Sequence, residues 1–232
     1  MNEEIIHKER FKPRFAAIIF DFDGLLVNTE ELREQSLVNF LKKYGKTFEF
    51  PDYTKTMLAG TEETTKFLKD KYELPGEIDD LTKERRSFFD MLFQSRLTLM
   101  EGVVEILEKA RGIGLKMAIA SNRYKADVLD ALNRLGVDNY FEVIVNIDDV
   151  ENKKPHPEIY LLASEKLGIA PKKCLVLEDA PHGVESGKAA GMTVVYVPST
   201  RYFDEKHDKA DLVLKTMRDL TDEVFKKLEL IE

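Results

Sequence analysis

Two hydrophobic rhythms run along this chain, and the change from one to the other divides it. Residues 15–20, Phe-Ala-Ala-Ile-Ile-Phe, form an unbroken apolar run of strand length. From Glu30 onward the period lengthens. Leu32, Leu37, Phe40, Leu41 and Tyr44 fall on one face of a helix whose start is signalled by Asn28 or Thr29 before Glu30 and Glu31, and whose end is marked by Gly45. The same spacing predicts helices over 62–72 and 79–97, separated by Leu74-Pro75-Gly76. The second carries Leu81, Phe88, Phe89, Leu92 and Phe93 as its apolar set. No strand is predicted between Glu30 and Leu99.

Beyond Met100-Glu101-Gly102 the two rhythms alternate. Helix 103–111 leads to strand 115–120, helix 124–135 to strand 141–146, helix 157–167 to strand 174–177, and helix 183–190 to strand 193–197. A short strand, 211–214, precedes a last helix. Such alternation requires right-handed crossovers and a parallel sheet covered on both faces. Strand 15–20 belongs to this pattern, yet its successor begins only at residue 115. The helical segment between them therefore reads as an insertion standing over the strand ends. The expected architecture is α/β: a Rossmann-like parallel-sheet core of residues 1–27 and 97–232, with an inserted all-helical cap of residues 28–96.

Composition narrows the options. With 43% hydrophobic and 34% charged residues in 232, the chain has the mixture of an ordinary soluble globular protein. A net charge of -8 argues against nucleic acid or an anionic membrane as the main partner, and leaves small anionic substrates open. Cys174 is the sole cysteine and lies in an apolar stretch, so it forms no internal disulfide and is expected as a buried small hydrophobe in a reducing, cytoplasmic setting. The first ten residues lack a signal-peptide pattern, and no run approaches the roughly 18 apolar residues of a membrane span. A monomer is the default expectation.

Four segments at or just after expected strand ends collect unusual polar groups: Asp21-Phe22-Asp23-Gly24, Ser121-Asn122, Lys153-Lys154-Pro155-His156-Pro157 and Glu178-Asp179. Taken singly, each has an ordinary reading, respectively an acidic turn, a helix N-cap, a solvated turn, and carboxylates placed for a helix dipole. An EF-hand is not expected, because Leu25 and Leu26 follow and Leu32 stands where its bidentate Glu belongs. His7, His156 and His207 show no zinc-ligand spacing. In a parallel sheet, however, all four segments converge at one edge, outside the carboxyl ends of the strands.

Two aspartates, a hydroxyl, an ammonium and an acidic pair suit phosphoryl transfer. Asp21 can attack phosphorus, giving an aspartyl phosphate. Asp23 can protonate the leaving alcohol and then deprotonate water, which calls for a raised pKa that a neighbouring carboxylate would help supply. Ser121 and Lys154 can hold phosphoryl oxygens. Carboxylates beside a phosphate also need a hard cation such as magnesium between them. Gly24 permits a turn and close backbone approach, and Asn122 joins the expected phosphate contacts.

Together the four segments resemble the signature motifs of the haloacid dehalogenase superfamily, in the branch with a helical cap after the first motif. The resemblance spans essentially the whole chain. It implies Asp21 as nucleophile, Asp23 as acid and base, Ser121 and Lys154 as phosphoryl contacts, and Mg2+ held by Asp21, the Asp23 carbonyl and Asp179, with Glu178 assisting. Lys154 is taken over Lys153 because the family's lysine immediately precedes the proline. The segments DFDGLLVNTE and CLVLEDAPHGVESGKAAGMTVVYVP most resemble pseudouridine-5'-phosphatase-like members. Those members usually carry Asn where this chain has His182, and Asp where it has Asn28. The implied function is a magnesium-dependent phosphatase acting on a small phosphorylated metabolite, a sugar phosphate or nucleoside monophosphate.

Two alternatives stay open. A sugar phosphomutase of the β-phosphoglucomutase type shares all four motifs, but its cap histidine and arginine positions fall here on Arg33 and Glu63. A non-catalytic phosphometabolite-binding protein on the same fold would commonly have lost the nucleophile or the lysine. Substrate choice is expected in the cap, at Arg33, Gly60, Thr61, Glu62 and Arg86, with Arg123 and His182 contributed by the core. Gly183, Gly187 and Gly191, four residues apart, are expected to line one face of a helix packed closely on the sheet, with Gly191 ending that helix.

Overall fold

The computed structural model describes residues 14–49, 61–198 and 208–231. Among these, six parallel strands form one sheet: β1 Ala17–Phe20, β2 Lys116–Ala120, β3 Val143–Val145, β4 Cys174–Glu178, β5 Thr193–Tyr196 and β6 Leu212–Val213. Their order is β3-β2-β1-β4-β5-β6, so β1 is central and the chain winds away from it in both directions. That reversal opens a crevice at the carboxyl ends of β1, β2 and β4. Register sets those ends level, because Phe20 pairs with both Ile119 and Leu177.

β1 is buried on both faces, which accounts for its unbroken apolar run. Ile18 and Phe20 pack into one core with Val103 and Leu107 of helix α4 (Val103–Gly112) and Val128 and Leu132 of α5 (Lys125–Leu135). Ala17 and Ile19, pointing the other way, pack against Ile159, Tyr160 and Ala163 of α6 (Glu158–Leu167) and Val184 of α7 (Pro181–Ala189). The last helix, α8 (Asp222–Lys227), closes the first core with Phe225.

Between β1 and β2 lie α1 (Thr29–Lys43), α2 (Thr61–Tyr72) and α3 (Ile78–Arg96). They own a separate small core of Leu37, Phe40, Leu41, Leu68, Tyr72, Leu74 and Leu81. No helix of the described residues is long and apolar enough to cross a membrane.

Several element ends differ from expectation for identifiable reasons. Asn28 does not cap α1 with its side chain. Instead its Oδ1 accepts from Thr98 N at 2.9 Å and its Nδ2 donates to the Arg96 carbonyl at 3.4 Å, tying together the two strands of chain that pass between helices and sheet. β3 stops at Val145 because the Asn146 side chain caps the turn Ile147–Asp149. α7 starts earlier than expected, at Pro181, whose missing N–H costs nothing in a first helical turn.

Candidate active site

The four polar segments meet at the carboxyl edge of the sheet. Asp21 follows β1, Ser121 follows β2, Glu178 ends β4 with Asp179 next to it, and Lys154 arrives from the loop between β3 and α6. After Asp23 the chain reverses in a tight loop. Gly24 has φ +77°, and its N–H donates to the Val27 carbonyl at 2.9 Å. That left-handed backbone is why glycine stands there.

Lys154 is the hub. Only 3% exposed, it spends its three ammonium protons on Asp21 Oδ1 at 2.5 Å, Glu178 Oε1 at 2.6 Å and the Ala120 carbonyl at 2.8 Å. Burial works against its charge, but the Asp21 and Glu178 carboxylates more than restore it, so its pKa lies above the ordinary lysine value. The loop that delivers it is pinned twice: Lys154 N donates to Asn122 Oδ1 at 3.2 Å, and Ser186 Oγ donates to the His156 carbonyl at 2.6 Å. The Asn122 side chain is thus engaged in placing the lysine.

Glu178 is held from every side. Oε1 also accepts from the Tyr160 hydroxyl at 2.6 Å, and Oε2 accepts from the N–H groups of Asp179 and Ala180 at 3.1 and 3.3 Å. Helix α7 presses close beside it, so that a Cβ on Gly183 would fall 1.8 Å from Glu178 Oε1. Gly187 likewise brings the helix against Val194. Gly191 serves differently, ending the helix region at φ +74° with nothing near its missing Cβ.

One oxygen each from Asp21, Glu178 and Asp179 lies within 4.8 Å of the others, and all three residues are buried. Three hard carboxylate oxygens converging in this way could hold a divalent cation that favours oxygen ligands. Burial, with the charges of Glu178 and Asp23 adding to it, pushes the Asp21 carboxyl well up, although Lys154 opposes the shift.

Asp23 departs from expectation. Burial does push its carboxyl up, but Arg123 outweighs this and holds the pKa below the usual value, with help from Arg33. The cause is geometric. Arg123 Nη2 and Nε donate to Asp23 Oδ1 at 2.5 and 2.9 Å, and Ser121 Oγ reaches Oδ2 at 3.4 Å while accepting from Arg123 N at 3.1 Å. A guanidinium is Asp23's strongest ionic neighbour, where sequence reasoning had expected a carboxylate. The same guanidinium lies over the rings of Phe89 and Phe93 on α3, 5.4 and 4.8 Å from their centres. Arg123 therefore joins the sheet edge to the inserted helices.

The other residues expected to touch substrate are less uniformly gathered. Arg33, one turn into α1, pairs with Glu30 at 3.3 Å and lies close enough to influence Asp23, Arg123 and His182. His182 is half buried near Glu178, with Nδ1 enclosed and lacking a hydrogen-bond partner among the described residues, and burial lowers its pKa. Thr61 opens α2 and offers its carbonyl inward, but Glu62 beside it is exposed. Gly60 lies outside the described residues. Arg86 faces solvent, and its neighbour Arg85 is the buried one. Sequence reasoning took Arg86 over its neighbour Arg85 and missed Tyr160. Arg85 stands four residues from Leu81 and from Phe89, a period that separates it from Arg86. Tyr160 is a fully buried aromatic whose hydroxyl needs a partner, and nothing local in the sequence identified that partner as Glu178.

Comparison with known proteins agrees with this architecture. The profile of the haloacid dehalogenase-like hydrolases matches residues 18–197. The chain is 34% identical over 180 residues to the "Phosphorylated carbohydrates phosphatase" of Thermotoga maritima, covering 78% of this chain and 83% of that protein. It is 33% identical over 213 residues to the "Probable pseudouridine-5'-phosphatase" of Drosophila melanogaster, covering 89% and 92%. A crystal structure described as "putative beta-phosphoglucomutase" from Thermotoga maritima superposes with a TM-score of 0.78 at 30% identity, over 92% of this chain and 99% of that one.

Proposed function

The chain belongs to the haloacid dehalogenase-like hydrolases, and we propose that it is a magnesium-dependent phosphatase that cleaves a small phosphorylated metabolite through an aspartyl-phosphate. One observation carries this reading. Asp21 lies buried at the end of the central strand, hydrogen-bonded to Lys154 and within reach of two further buried acids, with a second aspartate two residues on. That is a nucleophile, a phosphoryl clamp and a general acid in one crevice. The names of the two curated relatives support phosphate-ester hydrolysis.

In the first half-reaction an Asp21 oxygen bonds to phosphorus, the ester P–O bond breaks, and Asp23 gives its proton to the departing alcohol oxygen. Lys154 and Ser121 take phosphoryl oxygens as charge moves onto them. In the second half-reaction Asp23 accepts a proton from water, the water oxygen bonds to phosphorus, and the bond to Asp21 breaks. Inorganic phosphate leaves and Asp21 is restored. Arg123 keeps Asp23 in the ionised form, which suits the second half. For the first half, substrate entry must loosen that ion pair so that Asp23 can hold a proton. Magnesium fits the all-oxygen donor set of Asp21, Asp179 and the Asp23 carbonyl, with Glu178 behind them, and when bound it neutralises charge between these acids and the phosphoryl group. Residues 1–27 and 97–232 form the catalytic core in this reading, and 28–96 form the cap that shields the reaction from bulk water.

The mutase-like structural neighbour keeps a second reading open, in which the phosphoryl group passes to another hydroxyl of a sugar. Against it, Arg33 and the exposed Glu63 stand where a mutase's cap histidine and arginine are expected. Phosphate release from sugar phosphates and nucleoside monophosphates, with and without magnesium and beside Asp21→Asn, tests the proposal. Metal-dependent release lost in the variant is the expected result. Wild-type rates in Asp21→Asn would remove the nucleophile assignment, and conversion of β-glucose 1-phosphate to the 6-phosphate without release would establish the mutase instead.

A further inference from the structure

At Arg85, charge and burial conflict. The residue is 9% exposed. Its Nε donates to Thr65 Oγ1 at 3.2 Å and its Nη2 to the Thr61 carbonyl at 3.1 Å, both neutral acceptors. Among the described residues Nη1 makes no hydrogen bond, and the guanidinium forms no ion pair. The charges that act on it are like charges: beyond burial itself, Arg33 and Arg86 lower its pKa, to about 10. Burying a cation without a counter-ion costs stability, and a ligand that supplies the missing charge resolves the conflict.

Helix geometry directs Arg85 at the site. Arg85, Phe89 and Phe93 succeed one another at intervals of four and share a face of α3. Phe89 and Phe93 receive the guanidinium of Arg123, which in turn holds Asp23. Arg85 thus lies four residues, about 6 Å along the axis, beyond the ring nearest to it in that stack. On α1 the arrangement repeats. Thr29 is beside Asp23, and Arg33 follows four residues later on the same face. Arg33 lies close enough to act on the charges of both Asp23 and Arg85, so it bridges the acid and the buried arginine of the neighbouring helix. A leaving group extending away from phosphorus, past its proton donor, runs toward them.

We infer that Arg85, with Arg33 beside it, grips a second anionic group on the substrate, a carboxylate or second phosphate carried by the leaving group a few atoms from the scissile ester. This rests on the phosphatase reading above and narrows it to doubly acidic phosphate esters. Thr61 and Thr65 hold the guanidinium in place before the ligand arrives, so little side-chain freedom is lost on binding.

Matched substrates test it: 2-phosphoglycolate against ethyl phosphate, and 1,3-propanediol bisphosphate against propyl phosphate. The wild type should show higher kcat/KM for the doubly charged member of at least one pair, and which pair does so separates carboxylate from phosphate. Arg85→Gln should reduce that ratio by about 10- to 100-fold, the range expected for a charge-assisted hydrogen bond, with most of the change in KM. Arg85→Lys should keep part of the preference, and Lys83→Gln, at an exposed position of the same helix, should keep all of it. A wild-type ratio near one for both pairs, or an equal loss on both members of a pair in Arg85→Gln, would overturn the inference. Calorimetric titration of Asp21→Asn with the same four compounds separates this from failure of the phosphatase reading. Tighter binding of the doubly charged member, lost when Arg85→Gln is added, supports the Arg85 contact even without turnover, and equal binding of both members refutes it. Should Arg85→Gln fail to fold, Arg85→Lys supplies the same comparison with the smaller expected change.

Discussion

Gly183→Ala should be far more damaging than its size suggests. In a helix this substitution ordinarily gains about 1 kcal/mol, because alanine is the better helix former. Here the new methyl would fall 1.8 Å from Glu178 Oε1 and 2.2 Å from Oε2. The carboxylate cannot simply turn aside, since it is bonded to Lys154, Tyr160 and two backbone N–H groups. Overpacking of this kind costs about 1–3 kcal/mol. Breaking a buried hydrogen bond to a charged group costs about 1.5–3 kcal/mol more. Against the helix gain, a net loss of about 1.5–5 kcal/mol follows, a large part of the roughly 5–15 kcal/mol typical of a domain. Activity should fall by about 100-fold, because Lys154 moves with its anchor and displacements near 1 Å carry that penalty. Urea unfolding and phosphate-release rates would be measured beside two controls. In Gly187→Ala the methyl meets Val194 Cγ2 at 2.8 Å, an apolar contact with no charge attached, so stability should fall without a matching loss of rate. In Gly191→Ala the space is open but φ is +74°, so only backbone strain of about 1–2 kcal/mol is expected. A Gly183→Ala protein as stable and as active as Gly191→Ala would refute the view that α7 is pressed onto the Glu178 carboxylate.

Asp179→Ala should raise the magnesium concentration needed for half-maximal phosphate release by about tenfold or more, and an unchanged requirement would remove Asp179 from the metal site. Cys174 is fully buried, and burial pushes its thiol pKa up to about 11. At pH 8 it should therefore resist a disulfide reagent in the native protein and react at once in urea. Rapid stoichiometric labelling without denaturant would contradict its placement in β4.

How much of this was readable in advance depended on the range of the interaction that decides each feature. Strand and helix alternation is a local pattern, and it yielded the parallel sheet and the inserted helices because both follow from periods of about two and 3.6 residues. The convergence of Asp21, Ser121, Lys154, Glu178 and Asp179 followed from topology, since parallel strands deliver their carboxyl ends to one edge. Electrostatic partners were not readable in this way. Arg123 and Asp23 are separated by a hundred residues, and only the level ends of β1 and β2 bring them together. Without that pairing, the expected sign of the Asp23 shift came out reversed. Asn28 does stand at the N-cap position of α1, but its side chain is engaged by Thr98 across the whole insertion, a contact no local pattern shows.

Charge balance at the sheet edge unites these observations. Four carboxylates, on Asp21, Asp23, Glu178 and Asp179, gather around two cations, Lys154 and Arg123. Each cation has its own acid: Arg123 is paired with Asp23, and Lys154 is shared between Asp21 and Glu178. Glu178 spends both oxygens on the lysine, Tyr160 and the start of α7, so its charge serves to place Lys154 more than to meet a ligand. Four carboxylates against two cations leave negative charge in excess around Asp21, Glu178 and Asp179, the three buried acids that offer oxygens to a common point. A divalent cation matches that excess in both charge and donor chemistry, whereas a monovalent one would leave Asp21 facing an incoming phosphate dianion across uncompensated charge. The same ledger explains why Lys154 alone is insufficient. All three of its protons are committed, so a phosphoryl oxygen reaching it must take over one of these bonds, and in the proposed reaction Asp21 is the acceptor that gives up its charge when it forms the acyl phosphate.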